Sequence, residues 1–174
     1  MSRAIADLRP ETRERHAVLM HLASVAGFGW LLTDGLRLAS QQAILYRRGR
    51  PLASIQAKAD ELSDRWQRPD LAQLLMDAPA QAGPKGGIRP ATWAGPGQSG
   101  HQYGVALDGV PTLGGKPLWD DETPEDLDRW LEWGRLLVAA GFEWAGYWTQ
   151  HRERPHGQLP GFDWREHIQE CPCT

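Results

Sequence analysis

A chain of 174 residues can bury one full hydrophobic core, and a single domain over residues 1–174 is expected. Its formal net charge is -3, with 19 Lys and Arg scattered among 22 Asp and Glu. No basic stripe is there to neutralise a phosphate backbone, so nucleic acid is excluded as a partner. No apolar stretch has bilayer-spanning length, and none reads as a secretory leader, so the chain is expected to be made in the cytoplasm and not to insert into a membrane.

The first element is an amphipathic helix over Leu8–Ala26, with Pro10 or Thr12 near its start and Gly27 and Gly29 ending it. Trp30–Thr33 reads as a short buried strand stopped by the turn pair Asp34-Gly35. A second helix follows, capped by Ser40, with Ala43, Ile44 and Tyr46 inward, and is ended by Gly49 and Pro51. The segment 51–98 reads as an insertion: helical pieces at Ile55–Trp66 and Leu71–Met76, then a long loop rich in Gly, Pro and Ala. Val105–Leu107 is a short strand and Pro111–Lys116 a turn-rich link. A last long helix starts at Thr123-Pro124-Glu125-Asp126, carries Leu127, Trp130, Leu131, Trp133, Leu136, Leu137 and Ala140, and stops at Gly141. Few strands, several helices and no regular alternation predict an α+β fold.

Nine tryptophans are expected mostly in the core, because indoles bury large apolar area, while those near the chemistry are free to line a cleft. Cys171 and Cys173 stand too close together for a relaxed disulfide and read as a reduced tail, with metal binding as the alternative.

Chemistry concentrates in two runs, Ser99–Asp108 and Glu153–His156. A catalytic zinc ion takes three protein ligands from His and carboxylate and keeps a place for water. His101, Asp108 and His156 match that count. The step from His101 to Asp108 is odd, so an unbroken strand would send the two side chains to opposite faces, and Gly104 supplies the bend that lets them converge. Pro155 disfavours helix around His156, so a tight turn is expected to bring Glu153 beside the activated water as general base. His16 and His21 do not share a helix face well and read as structural, while His151 and His167 are near candidates with no partner pattern, and His151 competes with His156 for the ligand role.

Ser99, His101, Gly104, Ala106 and Asp108, followed by Glu153, Pro155 and His156, resemble the two hallmarks of the zinc peptidases of peptidoglycan. That group holds VanX- and VanY-type D-Ala-D-Ala peptidases and phage-endolysin-like L-alanyl-D-glutamate endopeptidases. Arg37, Gln42, Leu45, Tyr46, Gly49 and Arg50 match the family's upstream pattern, and Trp144, Gly146 and Trp148 echo its Gly-rich Trp motif. The chain departs from the pattern at Ala145, Tyr147 and Gly157, and by carrying Glu153 where endopeptidase relatives tend to have Asp.

The resemblance implies a Hedgehog/D-Ala-D-Ala peptidase-like fold, in which a small antiparallel sheet packed with helices carries Zn2+ on His101, Asp108 and His156. It implies that Arg37 steadies the oxyanion and Glu153 acts as base. Gln42 and Ser99 hold the stem peptide or support the site, and Trp148 walls the substrate groove, with Trp144 either beside it or in the core. The expected activity is hydrolysis of peptidoglycan stem peptides by a monomer acting on the wall after release, with the L-alanyl-D-glutamate bond as target. A D-Ala-D-Ala carboxypeptidase and a non-catalytic, zinc-stabilised wall-binding module remain as alternatives.

Overall fold

The computed structural model describes residues 2–79 and 90–172, so residues 80–89 of the expected Gly- and Pro-rich loop and Cys173 lie outside the described residues. The chain forms two compact units, one of residues 1–36 with 103–162 and the other of 37–102 with 163–174.

The first unit is built on an antiparallel sheet. Strands β1 (Trp30–Asp34), β2 (Ala106–Leu113), β4 (Glu143–Trp144) and β5 (His156–Gln158) run in the order β1-β2-β5-β4, and β3 (Lys116–Pro117) pairs with β2. With the helices around it, this sheet makes the fold α+β, as expected. Helices α1 (Pro10–Val25) and α5 (Pro124–Ala139) belong to this unit, and α5 packs on α1, β2 and β4.

The start of α5 follows the sequence reading closely. The Thr123 hydroxyl accepts from the Asp126 N–H at 3.1 Å and the Asp126 carboxylate accepts from the Thr123 N–H at 3.2 Å. Such a reciprocal cap stabilises a helix by about 1 kcal/mol. The helix buries Trp130, Trp133, Leu136 and Leu137. Gly141, at φ +90°, ends it in a conformation that side chains disfavour.

Gly134 sits in the middle of α5, where glycine costs about 1 kcal/mol relative to alanine. The reason is Trp144: a Cβ on Gly134 would lie 2.2 Å from the indole, and one on Gly146 would meet the same indole at 2.2 Å. Gly134→Ala should therefore lower stability by about 2–3 kcal/mol. Thermal or urea unfolding checks this, and an unchanged midpoint would contradict the packing described.

The stretch Pro111–Lys116 is less a link than strand: β2 continues to Leu113 and returns through Gly114-Gly115 into β3. Both glycines have positive φ, which a two-residue hairpin turn requires. Pro111 lacks an N–H, but its carbonyl accepts from the Leu118 N–H at 2.8 Å.

The second unit is helical: α2 (Ala39–Arg47), α3 (Leu52–Asp60), α4 (Pro69–Asp77) and the short α6 (Trp164–His167). Ser40 is not the cap of α2. The helix starts at Ala39, and the Leu38 N–H donates to the Gln41 side-chain oxygen at 3.1 Å. The segment expected as an insertion holds α3 and α4, and α3 runs into one π-helical turn over Glu61–Arg65. The Glu61 carboxylate accepts from Lys58 at 2.5 Å, the Trp66 indole at 3.1 Å and Gln98 at 3.0 Å. Burial raises its pKa, but these bonds outweigh burial and hold it below the ordinary carboxylate value.

Candidate metal centre

Strand register carries two of the three proposed ligands. In β2 and β5, Asp108 stands opposite His156, Leu107 opposite Gly157 and Ala106 opposite Gln158. Side chains alternate along a strand, so Asp108, His156 and Gln158 share one face of the sheet. Gly157 points the other way, where a Cβ would sit 2.9 Å from the Leu137 side chain of α5. That close approach accounts for glycine where the resembled family has an aromatic.

His101 comes from a 3-10 turn over Gly100–Tyr103, just before β2. The turn is closed by the Gln102 N–H on the Ser99 carbonyl at 3.0 Å and by the Ser99 N–H on the Gln102 side-chain oxygen at 3.2 Å. Gly104 has φ +66°, and a Cβ there would lie 3.1 Å from the Arg9 nitrogen. The Gly104 carbonyl accepts from the Arg9 N–H at 3.0 Å and the Thr12 hydroxyl at 2.9 Å. The bend expected at Gly104 is thus a left-handed residue pinned to the start of α1.

His101, Asp108 and His156 each offer one ligand atom, and these atoms lie within 4.8 Å of one another. His101 and His156 are buried, at 2% and 6% exposure, and Asp108 is half-buried. Two imidazoles and a carboxylate this close make a donor set suited to a divalent ion of the zinc type. Asp108 Oδ1 lies 3.0 Å from His156 Nδ1. Burial disfavours a charged imidazole at His156, but the bond and charge of Asp108, the charge of Glu153 and the contact with Gln158 outweigh it. The His156 pKa lies above its ordinary value.

The Trp motif holds the segment that precedes His156. Trp144 is buried at 2% exposure and its indole N–H donates to the Arg154 carbonyl at 2.7 Å. The Glu153 N–H donates to the Ala145 carbonyl at 3.3 Å. Trp144 is therefore a core residue that fixes the backbone beside Glu153. Trp148 is half-buried, with its ring 5.6 Å from that of His156 and its indole N–H on the Glu143 carboxylate at 2.6 Å. The turn expected at Glu153–His156 is present, as the His156 N–H donates to the Glu153 carbonyl at 3.3 Å. His156 itself opens β5, a strand too short and too polar to read from sequence.

Arg37 is 8% exposed, and its guanidinium donates to the Gln42 side-chain oxygen at 2.8 Å, while its N–H donates to the His101 carbonyl at 3.2 Å. Gln42 is fully buried at 0% exposure and its amide donates to the Ala94 carbonyl at 2.6 Å. This placement suits a supporting role for Gln42 and gives it no surface for a stem peptide. Ser99 closes the His101 turn. His151 is exposed with φ +53° and does not belong to the cluster, and His16 packs edge-on against Trp30 at 5.8 Å. Sequence reasoning missed Gln158, whose side-chain oxygen lies 3.3 Å from His156 Nε2, because the strand that carries it is only His156–Gln158.

A family model described as D-alanyl-D-alanine carboxypeptidase matches residues 93–159, the stretch that contains His101, Asp108, Glu153 and His156. The peptidoglycan L-alanyl-D-glutamate endopeptidase CwlK of Bacillus subtilis (strain 168) is 26% identical over 158 residues, covering 88% of this chain and 74% of that protein. The crystal structure of the Serratia marcescens L-Ala D-Glu endopeptidase ChiX aligns with a TM-score of 0.48 and 15% identity, over 94% of this chain and 86% of that one. Family model and relative agree with the resemblance carried by the motifs: the chain is similar to a D-alanyl-D-alanine carboxypeptidase family model and to an L-alanyl-D-glutamate endopeptidase.

Proposed function

We propose that the protein is a zinc-dependent peptidase that cuts the L-alanyl-D-glutamate bond of peptidoglycan stem peptides. The observation that carries this reading is the convergence of His101, Asp108 and His156 within 4.8 Å, in a group of three donors among the described residues. Three ligands leave a place on a tetrahedral ion for water and substrate, whereas a purely structural zinc site is closed by four. The bond assignment leans on the endopeptidase name of the relative matched over 88% of the chain.

Bound zinc supplies Lewis acidity toward the scissile carbonyl and the attacking water. Glu153, on the turn fixed by Trp144 and Ala145, takes the proton from that water and returns it to the leaving amine. Arg37, oriented by Gln42, steadies the negative charge that grows on the carbonyl oxygen. Trp148 forms an aromatic wall near His156, and Ser99 holds the His101 turn. No helix among the described residues is long and apolar enough to cross a membrane, and the reading has a monomer reach its substrate in the wall after release.

The test is digestion of purified sacculi with and without a chelator, followed by mass spectrometry of the new termini. The expected result is chelator-sensitive release of L-alanine C-termini and D-glutamate N-termini. Release of terminal D-alanine with intact L-Ala-D-Glu bonds would instead select the carboxypeptidase reading, which the description of the family model favours.

A further inference from the structure

We infer that Glu143 is a positioning residue for substrate: its carboxylate holds the Trp148 indole beside His156 and so sets the aromatic wall of the stem-peptide groove. This rests on the groove reading given above and adds a residue to it. In β4 and β5, Glu143 stands opposite Gln158 and Trp144 opposite Gly157. Cross-strand partners share a face and neighbours along a strand alternate, so Glu143 lies on the face that carries His156 and Asp108. Trp144 turns to the other face, where its indole packs against Gly134 of α5.

The backbone and the ring of Trp148 are fixed separately. Its backbone N–H donates to the Ala145 carbonyl at 3.2 Å and closes the 3-10 turn Ala145–Tyr147. That leaves two side-chain torsions to decide where the ring points. The indole nitrogen is a donor only, and it donates to Glu143 Oε1 at 2.6 Å. A bond to a carboxylate is about twice as strong as one between neutral groups, and both side chains belong to half-buried residues. With its nitrogen tied to the sheet, the ring stands 5.6 Å from the imidazole of His156 at an interplanar angle of 55°.

A large flat apolar face held in one place beside the reacting centre costs little further ordering when a peptide packs on it. Released from Glu143, the ring would have to be ordered by the peptide itself, which weakens binding about 3- to 10-fold. The wall touches parts of the peptide that do not react, so the loss falls on affinity and KM rather than on kcat.

The test uses the full chain and a synthetic stem peptide that contains an L-alanyl-D-glutamate bond. Its dissociation constant is measured by calorimetry in the hydrolysis-deficient Glu153→Gln background, and KM, kcat and zinc content in the background that keeps Glu153. Glu143→Met, which keeps the length of the side chain and removes the acceptor, should raise the dissociation constant and KM about 3- to 10-fold, with kcat and zinc content close to those of the parent. Glu143→Gln, which keeps an acceptor oxygen, should recover most of the loss. In a Trp148→Phe background, where the ring has no N–H, Glu143→Met should add nothing further. The Trp148 indole cross-peak in a 1H–15N spectrum, assigned by its absence in Trp148→Phe, should move upfield in Glu143→Met. Parental affinity in Glu143→Met would overturn the inference, as would the same loss with Trp148→Phe already present, or a joint fall of kcat and zinc content that marks a merely structural role. If the peptide binds with this dependence on Glu143 and is never cut, the inference stands and the peptidase reading fails.

Discussion

Glu153→Gln is expected to bind zinc like the wild type and to hydrolyse stem peptides about 100- to 10,000-fold more slowly, the range associated with loss of a general base. The substitution keeps the size of the side chain and removes its ability to take a proton. The backbone on either side is held independently of the carboxylate, by the Trp144 indole on the Arg154 carbonyl at 2.7 Å and the Glu153 N–H on Ala145 at 3.3 Å. The turn should therefore survive the change. Initial rates on a purified muropeptide, measured beside zinc content, check the prediction, and wild-type turnover would remove Glu153 from the role of base.

His101→Ala and Asp108→Asn are each expected to reduce bound zinc from about one ion per chain to a small fraction of that, with hydrolysis falling in parallel. The reason is the donor count. Three protein ligands are the minimum of a catalytic zinc site, so the loss of one leaves an incomplete chelate. For Asp108→Asn a neutral amide also replaces the carboxylate facing His156 at 3.0 Å. Elemental analysis after dialysis reads the result, with circular dichroism to show that the chain remains folded. Full zinc content in either variant would contradict the ligand assignment.

Much of this site was legible from sequence because its residues announce local geometry. Gly104 marked the bend before β2, Pro155 the turn before His156, and Thr123-Pro124 the start of α5. The extent of β2 was hidden because Pro111 and Gly114-Gly115 read as loop signals, although a proline carbonyl can pair in a ladder and a Gly-Gly pair can close a hairpin. β5 was hidden because a strand of three residues, His156–Gln158, has too few positions to display a period. Its pairing is decided by tertiary neighbours, β2 on one edge and β4 on the other. The role of Trp144 could not be read without Gly134, because the clamp on its indole joins residues ten positions apart across α5 and β4.

The account depends most on where a divalent ion goes. A crystal structure of the zinc-loaded protein, with anomalous diffraction recorded on both sides of the zinc edge, places the metal without assumption. The account predicts one strong peak bonded to His101, Asp108 and His156, with Glu153 beside the open coordination position. A peak elsewhere, or one closed by a fourth protein ligand, would contradict it.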